Sequence, residues 1–421
     1  MLFTTVVSLQ IINPEFLLPK ILKYLLVHWF GKVFTLLFLF GVLNASGQPV
    51  FRSVSTEPFG DSMRHWYGIR DAANVINPVK NQPRYNESQT TEIANNILLF
   101  QRNNGGWPKN YDMQAVLTKD QVKKLMQTKE TTHTTFDNGT TYTHVVYLAR
   151  AYALTKNELY RDACLRGINF ILLAQYSNGG WPQYFPLEKG NYSTHITFND
   201  GALIGIMRLL KKIKDNDPDY AFLDEWTRQQ VEQAYQKGIE CILKMQITNK
   251  EKLTVWCQQH DETTLQPAWA RAFEPPSICN GESAEIVKFL MSIDHPEPEI
   301  IRSIQASVKW FQETKILNTR IETVEAPTEQ SKWREYSTDK VVVIDSTALP
   351  IWTRYYELGT GRPLFCDRNS EFLYSLAEVS RERRVGYSWY TYAPQEVLDN
   401  YAAWQKQWIP AENVLVQPDV K

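Results

Sequence analysis

The stretch Gln101-Arg-Asn-Asn-Gly-Gly-Trp-Pro108 returns as Gln175-Tyr-Ser-Asn-Gly-Gly-Trp-Pro182, and a small polar cluster follows each copy, Phe136-Asp-Asn-Gly139 and then Phe198-Asn-Asp-Gly201. Helical apolar spacing precedes the copies at 95–101 and 167–175 and resumes at 144–154 and 202–213. The unit therefore reads helix, Gly-Gly-Trp turn, acidic loop, helix. A fainter third copy runs through 241–246, 256–261 and 280–291, where helical patterns bracket a loop with Trp256 and Asp261. Helical hairpins of this kind cannot bury their apolar faces alone, so they stack on their neighbours. The expected fold is all-α: an (α/α) toroid or barrel of helical hairpin repeats, with long irregular loops at one end forming a groove.

The bulk of the chain fits that reading. Thirteen Trp, 21 Tyr and 19 Phe in 421 residues, with 43% hydrophobic content, exclude a disordered chain. A formal net charge of −1 provides no general basic field for nucleic acid or anionic lipid. Lys23 and Lys32 precede the apolar run Val33–Leu43, which gives way to Asn44-Ala-Ser-Gly-Gln48. That order is the pattern of an export signal, and the run is shorter than the ~20 residues that span a bilayer. Residues 1–48 are thus expected to be a leader and signal peptide, and 49–421 a single domain that is secreted or periplasmic. Five widely spaced cysteines without a CxxC pair form no zinc signature; buried thiols and one disulfide are both open to them. The segments 265–279 and 332–346, with a polar loop at 326–331, read as irregular and charged, and long irregular segments of this kind carry function in compact helical domains.

Three sets of residues could carry chemistry. Asp137-Asn138 and Asn199-Asp200 each place a carboxylate beside an amide next to a glycine, which suits either a hard cation with oxygen ligands or simple capping of the helices that follow. Arg271, Arg354, Arg368 and Arg383 lie among aromatic and small residues, where an unpaired cation is costly, and their forked guanidinium groups suit bound carboxylates. Trp107, Trp181, Trp269, Tyr387, Trp389 and Tyr390 could stack on sugar rings or fill the spaces between helices. His133, His144, His195 and His260 have no zinc spacing and read as structural.

Taken together, Asn104-Gly-Gly-Trp-Pro-Lys-Asn110, Phe136-Asp-Asn-Gly139, Phe198-Asn-Asp-Gly201, Trp269-Ala-Arg-Ala-Phe-Glu-Pro-Pro276, Asp367-Arg368 and Arg383-Arg-Val-Gly-Tyr-Ser-Trp389 resemble the polysaccharide lyase family 10 pectate lyases over about residues 60–408. The resemblance implies a toroid that cleaves polygalacturonate, de-esterified pectin, by Ca2+-assisted β-elimination to 4,5-unsaturated products. It implies Arg368 as the base at C5, with Asp137 also catalytic, and Asp137, Asp200 and Asn138 on the calcium. Arg271, Arg354, Arg383 or Arg384, and Lys109 would contact substrate carboxylates. One departure stands out: Asn369-Ser370 follow the Asp-Arg pair where the family pattern has Asp-Gly. A monomer with no obligate protein partner is expected. The alternatives are a polysaccharide-binding toroid without activity, and a glycoside hydrolase using Asp137 and Asp200 as its carboxylate pair.

Overall fold

The computed structural model describes residues 53–68, 74–188, 190–332 and 335–415. The expected leader and signal at 1–48 lies outside the described residues. The helices are α1 (Gly60–Gly68), α2 (Thr90–Phe100), α3 (Lys119–Met126), α4 (Tyr142–Thr155), α5 (Glu158–Ala174), α6 (Ala202–Lys214), α7 (Glu225–Met245), α8 (Asn280–Met291), α9 (Pro298–Thr314), α10 (Arg381–Gly386) and α11 (Ala393–Trp408). Helices α2, α4, α6, α8 and α11 stand side by side in one row, and α5, α7 and α9 form a second row packed against it. This is the two-layered α/α toroid that the repeat required. Because α6 is covered on several sides, Leu203, Ile204, Ile206, Met207, Leu209, Leu210 and Ile213 are all buried around it.

The repeat is built from two recurring hydrogen-bond devices. The indole Nε1 of Trp107 donates to Ile97 O and that of Trp181 to Ile171 O, both at 2.8 Å. The Gln101 amide donates to Gly105 O (3.0 Å) and Ala163 O (2.9 Å), and the Gln175 amide makes the same two bonds to Gly179 O and Ala234 O. Each glutamine thus ties a loop carbonyl of its own turn to a backbone carbonyl inside the neighbouring outer helix, and each buried indole N–H finds an acceptor near the end of the preceding helix. The third copy is real: Trp256 Nε1 donates to Ile242 O (2.7 Å), and Gln246 Nε2 to Thr254 O (2.7 Å) and Ser303 O (3.1 Å). A fourth indole, Trp352, bonds Phe311 O at 2.9 Å. Gly105 and Gly179 hold φ of 96° and 97°, and a Cβ on either would lie 2.5 Å from Arg166 O and 2.0 Å from Lys237 O respectively. Glycine lets each loop seat directly on the outer helix of the next hairpin.

Two expectations need correction. The segments 326–331 and 332–346 are not simple loops: Thr319–Gln330 and Glu335–Ile344 pair antiparallel from Thr319↔Ile344 to Gln330↔Glu335, with a register shift between Glu325 and Glu329. Pro327, which cannot donate to a ladder, sits inside that shift. The ribbon has charged and polar residues on both faces and is largely exposed, so no apolar alternation announces it. The fold is therefore mostly helical and not purely so. Shorter strands also replace parts of the irregular loops. Ile278–Cys279, Tyr355–Tyr356, Pro363–Cys366 and Phe372–Leu373 form a four-stranded sheet against the start of α8. All five cysteines are buried and free, which settles the choice left open above.

Candidate active site

The acidic turns Asp137–Gly139 and Asn199–Gly201 lie against each other immediately before α4 and α6, and Ile278–Cys279 leads into α8 in the same way. Three helix N-termini therefore gather at one end of the toroid, a setting that favours negative charge. Both turns have the same backbone: Asn138 (φ 51°) and Asp200 (φ 50°) are left-handed, as are Gly139 and Gly201 at φ 71°. Asp137 thus corresponds to Asn199 and Asn138 to Asp200, so the acid and the amide exchange places between copies. Neither aspartate caps a helix. The N–H of Thr141, before α4, is taken by His144 Nδ1 (3.1 Å), and α6 starts from Gly201 with no side-chain cap.

A cleft of about 520 Å³ opens between these turns, lined among others by Lys109, Asn110, Asp137, Asn138, Asp200 and Arg271. Asp137 is buried; Lys109 Nζ pairs with its Oδ2, while Oδ1 is buried with no hydrogen-bond partner among the described residues. Asn138 donates to Asn110 Oδ1 at 2.9 Å. The Asp200 side chain reaches the solvent of the cleft. Being largely surrounded by protein, and then the Asp137 charge beside it, push its carboxyl up to about 7, with Arg354 pulling the other way. A buried orphan carboxylate oxygen facing a second, strained carboxylate fits a hard cation with oxygen ligands. Asp137, Asp200 and Asn138 could hold one.

Of the five candidate arginines, Arg271 alone lines the cleft. Its fork grips Glu274, through Nε at 2.7 Å and through Nη2. Burial would raise the Glu274 carboxyl, but Arg271, Gln258 and Tyr387 overrule it and hold it at about 2. Arg354, just before the strand Tyr355–Tyr356, pairs with Glu282 in the first turn of α8 and lies 3.4 Å from Asn199 Oδ1, while its own Nε is buried without a partner among the described residues. Arg368 and Arg383 share one carboxylate, Glu382: Arg368 Nε at 2.9 Å, Arg383 Nε at 2.8 Å and Arg383 Nη2 at 2.6 Å. Burial alone would raise Glu382; the two guanidinium groups hold it at about 2. The guanidinium groups of Arg271, Arg368 and Arg383 all face the Phe273 ring, at 5.0, 5.3 and 4.6 Å from its centroid. Arg384 points elsewhere. It forks onto Asp339 of the ribbon at 2.7 Å for both bonds and donates to Val379 O at 2.7 Å, so the structure separates it from Arg383. Ser370, where the family pattern has glycine, keeps a left-handed φ of 64°, so the turn survives the departure.

Glu274, Glu282 and Glu382 were missed as site residues. Each lies one or three positions from a quoted motif arginine or in the third repeat, and only folding shows that each holds an arginine. Trp107 and Trp181 are fully buried core residues. His144 and His260 are structural as expected: burial pushes them down to about 3 and 4, and both rings are fully engaged by neighbours.

The cleft thus brings two aspartates and the Arg271 guanidinium together, with Arg354, Arg368 and Arg383 held by glutamates nearby. The family model described as pectic acid lyase matches residues 101–398. A family 10 polysaccharide lyase from Cellvibrio cellulosa is 31% identical, with a TM-score of 0.64 over 75% of this chain and 92% of its own. A mutant of family 10 polysaccharide lyase from the same organism, in complex with trigalacturonic acid, is 32% identical with the same TM-score and coverage. Curated proteins yielded no match. The chain belongs to the pectic acid lyase family, the family 10 polysaccharide lyases, and is a polysaccharide lyase.

Proposed function

We propose that this protein cleaves α-1,4-linked polygalacturonate by β-elimination. The observation that supports this most directly is the joint placement of two acidic turns and Arg271 in one cleft, in a chain whose relative holds trigalacturonic acid. The C5 proton of a uronate becomes removable when the charge that develops on its carboxylate is stabilised. A base takes that proton, the C5–H pair becomes the C4=C5 double bond, and the C4–O bond breaks, its oxygen leaving with a proton. Arg354 and Arg383 would hold substrate carboxylates, and Lys109 would hold the Asp137 side of the cleft. A calcium ion on Asp137 and Asp200, with Asn138, would supply further neutralisation of the uronate carboxylate.

For the base, the motif resemblance names Arg368, whereas the cleft geometry favours Arg271, which lines the same cleft as both aspartates. We assign the proton transfer to Arg271 and keep Arg368 as the arginine tested beside it. Arginine is a base only where its deprotonated fraction is appreciable, so activity should rise into alkaline pH. The basic, apolar, small-residue order at 23–48 supports secretion. The test is ultraviolet absorbance of unsaturated product from polygalacturonate, with calcium and with chelator. Reducing ends without that absorbance would establish a hydrolase, and binding without either would establish a non-catalytic toroid.

A further inference from the structure

A second groove lies at the same end of the toroid. It has a volume of about 500 Å³ and is lined by Lys250, Lys252, Lys309, Trp310, Glu313 and Gly361 among others. All three lysines are exposed and Trp310 is half-buried. Glu313, 4.0 Å from Lys309, is the carboxylate lining it, so cations outnumber anions there.

Asn280 links the groove to Arg354. Asn280 N–H donates to Arg354 O at 3.0 Å, and Asn280 Oδ1 accepts the indole N–H of Trp310 at 3.0 Å. The hairpin that carries Lys250 and Lys252 is also held in place. Thr248–Asn249 and Lys252–Leu253 pair as a tight hairpin whose two tip residues, Lys250 and Glu251, both have positive φ, 49° and 66°. Such a turn prefers Asn-Gly, and a Lys-Glu tip keeps its backbone at a steric cost. Asn249 Oδ1 ties the hairpin to the far wall by accepting from Gly359 N–H at 2.6 Å, and Lys250 Nζ reaches Thr360 O at 3.4 Å.

We propose that this groove is an auxiliary binding site for the polyuronate chain, in which Lys250, Lys252 and Lys309 meet sugar carboxylates and Trp310 offers an apolar face to a ring. The proposal rests on the substrate reading above. It predicts that the groove matters to a polymer and is silent to a trimer, which fills only the catalytic cleft.

The test uses the full chain carrying Lys250→Asn with Glu251→Gly, which relaxes the turn while removing one lysine, and a second variant carrying Lys252→Ser with Lys309→Ser. Retardation in native gels containing polygalacturonate and chelator, relative to the same gels without polymer, reads binding, and kinetics on polymer and on trigalacturonate read the rest. Both variants should be retarded less than wild type and show polymer KM raised roughly threefold to tenfold, the scale for losing one or two exposed charge contacts. Added salt should erase the difference, and kcat and trimer kinetics should be unchanged. Equal retardation and equal polymer KM in wild type and both variants would overturn the groove. Should wild type turn over no polygalacturonate, the functional reading fails while the gel comparison still decides the groove.

Discussion

Arg271→Lys should separate the two candidate bases. Arg271 binds Glu274 through two nitrogens of one planar fork, with Nε at 2.7 Å. A lysine there would keep the charge, reach less far and make one of those contacts. If Arg271 takes the C5 proton, kcat should fall by about 10²–10⁴-fold, the usual contribution of a general base, or about 3–5 kcal/mol of barrier. Arg368→Lys instead disturbs a group bound to Glu382 outside the cleft wall. If Arg368 serves only to hold a substrate carboxylate, losing that charged hydrogen bond is worth about 1.5–3 kcal/mol, so KM should rise about 10- to 150-fold with kcat within tenfold of wild type. Glu274→Gln supplies an independent readout. Burial alone lowers the Arg271 pKa, but Glu274 overrules it and pushes it up. Neutralising Glu274 should therefore move the alkaline rise of kcat to lower pH. Steady-state kinetics on polygalacturonate across alkaline pH decide the matter. If Arg271→Lys keeps more than about a tenth of kcat while Arg368→Lys loses over a hundredfold, the base is Arg368 and the cleft argument fails.

Calcium should bind at Asp137 and Asp200: Asp137→Asn and Asp200→Asn should each weaken it about tenfold or more by calorimetry, and unchanged affinity in both would remove the metal from these turns. His260 is held neutral, down to about 4, so the unfolded chain binds the extra proton; its stabilising contribution is present above about pH 6.5 and is lost as pH falls toward 4, by about 3 kcal/mol. Urea titrations of wild type and His260→Gln over that window should show the wild type losing more stability on acidification. Gly179→Ala would put a methyl 2.0 Å from Lys237 O at a φ of 97°, so a loss above about 2 kcal/mol is expected in the same assay; a neutral result would mean that the loop does not seat as described.

The sequence by itself determined the repeating architecture. The Gly-Gly-Trp-Pro phrase specifies its own contacts: the first glycine of each copy meets a carbonyl of the next hairpin, the indole meets the preceding helix, and Gln101, Gln175 and Gln246 bridge to the neighbour. These are local or nearest-neighbour interactions, so they leave a periodic trace. The acidic turns were legible for the same reason, since each must be left-handed at an Asx and a Gly. What only the tertiary structure decided is which groups meet across repeats. Asp137 and Asp200 are converted from apparent caps into a facing pair by the packing of one turn on another. Arg354 reaches Glu282, and Arg368 reaches Glu382, because a four-stranded sheet and a six-residue helix bring distant segments together. No spacing along the chain encodes such pairings. The ribbon 319–344 escaped notice because it buries no continuous apolar face, and the separation of Arg383 from Arg384 follows from that same ribbon, whose Asp339 captures Arg384 while its neighbour turns inward to Glu382.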